Sequence, residues 1–283
     1  MNDSSGTLWI VATPLGNPQD FSPRARQVLE QAGMILCEDT RRAARLFAAQ
    51  NMEQRRFLSL FDHNEQGRVP QVLAHLEQGG DAALISDAGT PVLSDPGFLL
   101  VRACREAGHP VRPVPGPSAV MAALCASGLA PQPFTFLGFL PRKAGDVRQA
   151  FARFASAGCT LVFFERKDRL GKSLAAALEA LGERECVIAR ELTKTHEEFI
   201  TGRLSELAGK ELDLLGELTV VLGPALERGQ AADEDVESVL AGEIAAGGKP
   251  KEVARRAAAR LKGLTVKELY ERVLAAQGRA GDG

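Results

Sequence analysis

Short apolar runs alternate with longer amphipathic stretches through about the first 225 residues of this 283-residue chain. The runs predict strands at LWIVAT (8–13), MILCE (34–38), AALIS (82–86), TFLGFL (135–140), TLVFFE (160–165), CVIAREL (186–192) and LTVVLG (218–223). Between several of them, helical periodicity covers Pro23 to Gln31, Gln66 to Gln78, Gly97 to Ala107, Ser118 to Ala126 and Arg169 to Leu181. Alternation of this kind predicts an α/β fold with largely parallel sheets. The strands are apolar throughout rather than at every second position, as expected where helices cover both faces.

Two segments read as boundaries. LAPQPFTFLGFLPRK (129–143) carries three prolines and suits a linker, and QAADEDVES (230–238) is polar and acidic. They divide the chain into an α/β lobe over 1–128, a second over 129–229 and a tail over 230–283. In the tail, short helices are expected over Val236 to Ala246, Pro250 to Leu261 and Val266 to Ala275, the second pair separated by a turn at Gly263. The third opens on Thr265 and Glu268, a capping-box spacing in which hydroxyl and carboxylate satisfy first-turn amides. Such an appendage is similar to a helix-turn-helix unit.

Net charge is −2, which selects no partner, but its distribution is uneven. Residues 249–283 hold nine Lys and Arg against four Asp and Glu, so this end of the tail carries +5 and the preceding 248 residues −7. A basic tail on an acidic body suits contact with something anionic. No apolar run approaches the ~20 residues of a membrane span, and MNDSSGTLWIV lacks the basic start of a signal peptide. A cytoplasmic protein without membrane attachment is expected. The five cysteines (Cys37, Cys104, Cys125, Cys159, Cys186) form no CxxC pair and read as buried free thiols. The four histidines lack metal-ligand spacing, so no bound metal is expected.

The usual nucleotide fingerprints are missing: no GxGxxG follows the first strand, and the GKS at 171–173 has Arg166 where a P-loop needs glycine. Three other loops leave apolar strands instead: Thr13 to Pro18, Asp87 to Gly97, and Pro113 to Ser118. Any one would suit a plain turn, since Gly supplies unusual dihedrals and Pro stiffens. Three together, rigid and rich in small residues, let a ligand approach the backbone. Asp87 can accept from hydroxyl or ammonium groups, and the amides after Ser118 can receive a carboxylate. An amino-acid-bearing cofactor fits that set.

The loops TPLGN (13–17), SDAGTPVLSDPG (86–97) and PGPSA (115–119) resemble those of the tetrapyrrole-methylase-like methyltransferases. Within that class, CEDTRR (37–42), DHNE (62–65), GFLPRK (138–143) and ELTK (191–194) resemble the bacterial small-subunit rRNA cytidine 2′-O-methyltransferases, in the right order from Leu8 to Gly223. The resemblance implies two α/β lobes, S-adenosylmethionine between them, a homodimer, and a cytidine of 16S rRNA in the small ribosomal subunit as substrate, with no DNA partner. It implies that Leu15, Gly16, Asp87, Gly89, Thr90, Ser118, Ala119 and Phe164 contact the cofactor. Pro18 departs from the family's usual Leu, Arg166-Lys167-Asp168 from Ser-Pro-His, and His196 from Tyr. A tetrapyrrole methyltransferase is the competing reading, because the cofactor loops are common to both.

A ribose hydroxyl is a poor nucleophile and calls for a general base. Glu38, Asp39 and His63 are the main candidates, with Glu65 and Glu165 beside them, and no single one stands out. Arg41, Arg42, Arg142 and Lys143 are the candidates for RNA phosphates, since guanidinium geometry matches phosphate.

Overall fold

The computed structural model describes residues 5–210, 214–225, 233–261 and 264–279. The chain divides into two compact units, 1–224 and 225–283. The expected boundary at 229/230 and the expected turn residue Gly263 lie outside the described residues.

In the first unit, strands β1 (Leu8–Val11), β2 (Met34–Cys37), β3 (Phe57–Ser59), β4 (Ala82–Ile85) and β5 (Val111–Val114) form one sheet in the order β3-β2-β4-β1-β5. Every pairing in it is parallel. Helices α1 (Pro23–Gln31), α2 (Thr40–Ala49), α3 (Glu65–Glu77) and α4 (Phe98–Glu106) are the crossovers. β4 shows why the strands are apolar throughout. Ala83 and Ile85 join the core with Leu29 of α1 and Phe47 of α2. Ala82 and Leu84 join the opposite core with Leu76 of α3 and Leu100 of α4. Each fully buried large side chain contributes roughly 1.5–3 kcal/mol. Because the strands are parallel, their C-terminal ends share one edge, where open α/β sheets bind ligands. Residues 13–18, 38–39, 86–97 and 115–118 all leave from it.

The second sheet comprises β6 (Phe134–Phe139), β7 (Thr160–Arg166), β8 (Glu185–Arg190), β9 (Glu198–Arg203) and β10 (Glu217–Leu222), ordered β6-β7-β10-β8-β9. Only β6 and β7 are parallel; the other three pairings are antiparallel. The expectation of largely parallel sheets therefore holds for the first sheet and fails for the second. A run buried on both faces is apolar throughout whichever way it points, and the short loop 191–197 turns β8 directly back into β9 without a crossover helix.

Helices α6 (Ala144–Ala152), α7 (Lys167–Leu181) and α8 (Leu204–Ala208) cover one face of this sheet through Phe151, Leu174 and Leu207. Helix α5 (Ala119–Ala126) covers the other, packing Val120, Ala123 and Leu124 on Val162, Val187 and Val221. Sequence punctuation groups residues 119–126 with the first lobe, whereas their packing lies with the second sheet. Four cysteines are buried, and burial pushes the Cys37 and Cys186 thiols up to about 12 and Cys104 to about 11. Cys125 on α5 is exposed, contrary to the expectation for all five.

The second unit holds α9 (Asp233–Ala245), α10 (Pro250–Arg260) and α11 (Val266–Arg279) around Val236, Leu240, Val253, Leu261, Leu269 and Val273. The capping box forms: the Thr265 amide donates to Glu268 Oε2 at 2.7 Å, and the Glu268 amide to Thr265 Oγ1 at 3.3 Å. Glu243 holds Arg256 at 2.8 Å and Arg260 at 2.9 Å, which neutralises part of the tail's positive charge. Among the described residues, no helix is long and apolar enough to cross a membrane, and no group of His, Cys, Asp or Glu could hold a metal ion.

Candidate active site

The three loops are laced together at the C-terminal edge of the first sheet. The Thr13 amide donates to the Gly89 carbonyl at 2.8 Å and the Gly89 amide returns to Thr13 at 3.0 Å. Thr90 Oγ1 donates to the Pro117 carbonyl at 3.0 Å, tying the second loop to the third. Gly89 adopts φ +77°, and a Cβ there would sit 3.0 Å from Leu15 Cδ2, so the backbone itself forms the wall. Ser118 caps α5, its hydroxyl accepting from the Met121 amide at 3.5 Å, and leaves earlier amides of that turn open.

These loops line a cleft of about 700 Å³, within the range of small-molecule sites. Leu15, Asp87, Gly89, Thr90, Ser118, Ala119 and Phe164 all line it. Phe164 stands edge-on to Phe136 with centroids 5.0 Å apart and lies 5.3 Å from Phe139, giving the second sheet an aromatic wall. Gly16 does not line the cleft. A Cβ there would meet Lys194 Cγ at 2.2 Å, so this glycine makes room for Lys194, whose Nζ reaches Glu191 at 2.9 Å and Glu217 at 3.2 Å. The Asn17 amide also donates to Thr193 Oγ1 at 3.1 Å, so ELTK clasps the first loop to the second sheet.

The opposite wall is acidic. Glu38, Asp87 and Asp95 line it, and burial pushes all three carboxyls upward; repulsion by Asp87 and Asp62 adds to Glu38, and repulsion by Glu38, Asp87 and Asp62 helps bring Asp95 to about 7. Asp87 accepts from the Asp39 amide at 3.2 Å and pairs with Arg42 at 3.4 Å, which offsets part of its shift. A second depression of about 500 Å³ shares Glu38, Arg42 and Asp87 with the cleft and adds Asp39, Arg41, Ser59 and Phe61.

The acid–base candidates take different places. Glu38 lies where the two depressions meet. Asp39 caps α2 through the Arg41 amide at 2.8 Å and holds the Arg41 guanidinium at 2.7 Å, contacts that keep its carboxyl well below the usual range. His63 is exposed and lines neither depression. Glu65 is buried, and its Oε1 accepts from the Leu100 amide at 3.0 Å. Its helix α4 starts at Gly97, which has no side chain to cap it, so DHNE supplies the cap from α3. Asn64 of the same motif bonds the Phe61 amide and the Ser59 carbonyl. Glu65→Ala is expected to cost about 1–2 kcal/mol. That corresponds to a Tm drop of roughly 2–8 °C, read by thermal unfolding, with cofactor affinity unchanged.

Glu165 is buried and already engaged. It accepts from the Ser173 hydroxyl and from the Arg166 amide and lies 3.5 Å from Arg169, which also donates to the Leu140 and Pro141 carbonyls. The ion pair thereby anchors the GFLPRK loop. Arg142 and Lys143 follow that anchor, are exposed and line neither depression. Arg166, Lys167 and Asp168, which depart from the resembled pattern, line the cleft. They and Asp95 are the residues that sequence reasoning passed over as site residues. The only local signal for Asp95 is its place in SDPG, a polar turn shortly after a strand end.

The family model of tetrapyrrole (corrin/porphyrin) methylases matches residues 7–208. A protein of Mycobacterium bovis named ribosomal RNA small subunit methyltransferase I is 43% identical, covering 98% of each chain. One of the same name from Micromonospora olivasterospora is 41% identical over 98% of this chain and 89% of its own. Among solved structures, uroporphyrin-III C-methyltransferase from Thermus thermophilus complexed with S-adenyl homocysteine aligns with TM-score 0.55 at 20% identity, over 77% of this chain and 97% of that one. That likeness shows the fold alone. The domain match and the near-full-length identities together place this chain in the tetrapyrrole methylase family and, within it, among the ribosomal RNA small subunit methyltransferases I.

Proposed function

We propose that the protein transfers a methyl group from S-adenosylmethionine to the ribose 2′-hydroxyl of a cytidine in 16S rRNA of the small ribosomal subunit. The observation that carries this reading is the acidic, glycine-walled cleft opening beside a depression that holds two arginines and an exposed phenylalanine. The residues fit the cofactor. Asp87 and Glu38 complement a sulfonium and an ammonium, the α5 N-terminus complements a carboxylate, and Leu15 and Phe164 offer apolar walls to an adenine. Bound there, S-adenosylmethionine supplies a methyl group activated by its sulfonium charge. The protein's share is orientation, desolvation and proton removal.

The adjoining depression is the place for the target nucleotide. Phe61 is 41% exposed and presents a face on which a base can stack. Arg42, Arg166 and Lys167 flank the cleft, with Arg142 and Lys143 further out on the anchored loop, and the cations of the tail add a second anionic contact. Leu93, Phe98, Leu99 and Met121 are large apolar side chains left exposed on the segments after β4 and β5, which suits a homodimer.

Labelled S-adenosylmethionine and small subunits lacking the modification test the reading. Label recovered in 2′-O-methylcytidine supports it; transfer to a precorrin and none to the subunit overturns it. For the RNA contacts, Arg142→Ala and Lys143→Ala are each expected to weaken binding and to flatten the slope of log K against log salt by about 0.7–0.9. Unchanged slopes remove the two residues from the phosphate path.

A further inference from the structure

Of Glu38, Asp87 and Asp95 on the acidic wall, one is already committed and one is open to solvent. Asp87 is held by the Asp39 amide and Arg42. Glu38 is exposed, and Arg42, whose ion pair is with Asp87, offsets only part of the repulsion on it. Asp95 is half-buried and has no hydrogen-bonding or ion-pairing partner among the described residues. The backbone that presents it is bent: Val92 has φ +74° and Ser94 φ +70°, and Gly97 two residues on has φ +128°. A β-branched residue in the left-handed region is held there by its surroundings rather than by preference. The same segment packs on the second sheet, since a Cβ on Gly138 of GFLPRK would lie 3.1 Å from Ser94 Oγ. Asp95 thus stands between the cofactor loop at 87–90 and the loop proposed to meet RNA.

We infer that Asp95 is the general base that takes the proton from the attacking ribose hydroxyl, an inference that rests on the methyl-transfer reading above. The hydroxyl oxygen forms its bond to the methyl carbon as the carbon–sulfur bond breaks and its electron pair returns to sulfur. The hydroxyl proton passes to the Asp95 carboxylate, so a cationic donor and an anionic base leave a neutral thioether and a neutral acid. An ordinary aspartate is too weak a base to drive this, whereas one near neutrality is suited to it. Asp95 titrates near there because burial first, and Glu38, Asp87 and Asp62 next, disfavour its charge. The other charged groups lining the cleft are Arg42, Arg166 and Lys167, with Glu165, Asp168 and Glu217.

Three readouts test the assignment. In the free protein, carbon-13 NMR of labelled aspartate should show one carboxyl titrating near pH 7, absent in Asp95→Asn. Methylation of small subunits should rise with pH to a plateau above that value in the wild type. Asp95→Asn should lower kcat by about 10²–10⁴-fold, lose the acid limb, and bind S-adenosylmethionine within a few-fold of wild type by calorimetry. Glu38→Gln should move the limb to lower pH, because it removes the largest charge acting on Asp95. A structural role for Asp95 predicts instead that its loss destabilises. Here the sign is opposite: the folded state favours the protonated form, so stability falls as pH rises from about 4 to about 7, and Asp95→Asn should unfold at a higher temperature at pH 8. Wild-type kcat in Asp95→Asn, or an acid limb that survives in it, overturns the assignment. If the wild type transfers no methyl group to the subunit, the methyl-transfer reading fails, and the assignment of a base fails with it.

Discussion

Asp87→Asn is expected to raise the dissociation constant for S-adenosylmethionine by about 10–150-fold while the protein stays folded. The substitution is nearly isosteric, and the amide oxygen can still accept from the Asp39 backbone, so the loop keeps its 3.2 Å contact. What disappears is the negative charge, and with it a hydrogen bond of the charge-assisted kind, worth about 1.5–3 kcal/mol. Each 1.4 kcal/mol corresponds to about tenfold in affinity. Isothermal titration with the cofactor, beside thermal unfolding, separates the two effects. A dissociation constant equal to that of the wild type would place the cofactor elsewhere than against this loop. Arg42, 56% exposed and 3.4 Å from Asp87, loses its partner in the same variant, but an exposed pair of this kind adds little to stability.

Gly89→Ala is the second large effect, and it combines two costs. The residue sits at φ +77°, where an L side chain costs about 1–2 kcal/mol, and the new Cβ lies 3.0 Å from Leu15 Cδ2. Leu15 must then move into the cleft it lines, so cofactor affinity is expected to fall at least about tenfold, with a Tm loss of roughly 2–8 °C. Gly108→Ala is the control. It has φ +80° with nothing within 4 Å of its would-be Cβ, in the turn between α4 and β5. It carries the backbone cost without the contact, so it should lower Tm similarly and leave cofactor binding intact. Equal affinities in the two variants would mean that crowding at Leu15 has no bearing on the ligand.

Much of the first sheet and the cofactor edge was legible because the determining signals are local. Apolar runs mark β1, β2 and β4, and Ser22 before Pro23, like Ser118 before α5, marks a helix start through the side chain that caps it. The three loops combine glycine and proline in ways that restrict backbone dihedrals whatever surrounds them. Helix α2 is absent from the expected helices; Ala43 and Phe47, four residues apart, are the buried pair on it. β3 is three residues long, β5 contains an arginine and a proline, and β9 is only half-covered.

Residue order was enough to reveal the alternation of elements, the family, and the set of loops that can take a small-molecule ligand. These depend on residue type and near-neighbour spacing, which a chain carries before it folds. The tertiary structure alone decided the antiparallel course of the second sheet and the side on which α5 packs. It turned Glu65 into a cap for α4, withdrew Glu165 into an ion pair, and set Gly16 against Lys194. Above all it brought Glu38 and Asp62, from two other segments, within electrostatic reach of Asp95 on the loop that also carries Asp87. A carboxylate's proton affinity depends on its burial and on charges close in space, and neither is a property of the residues beside it in the chain.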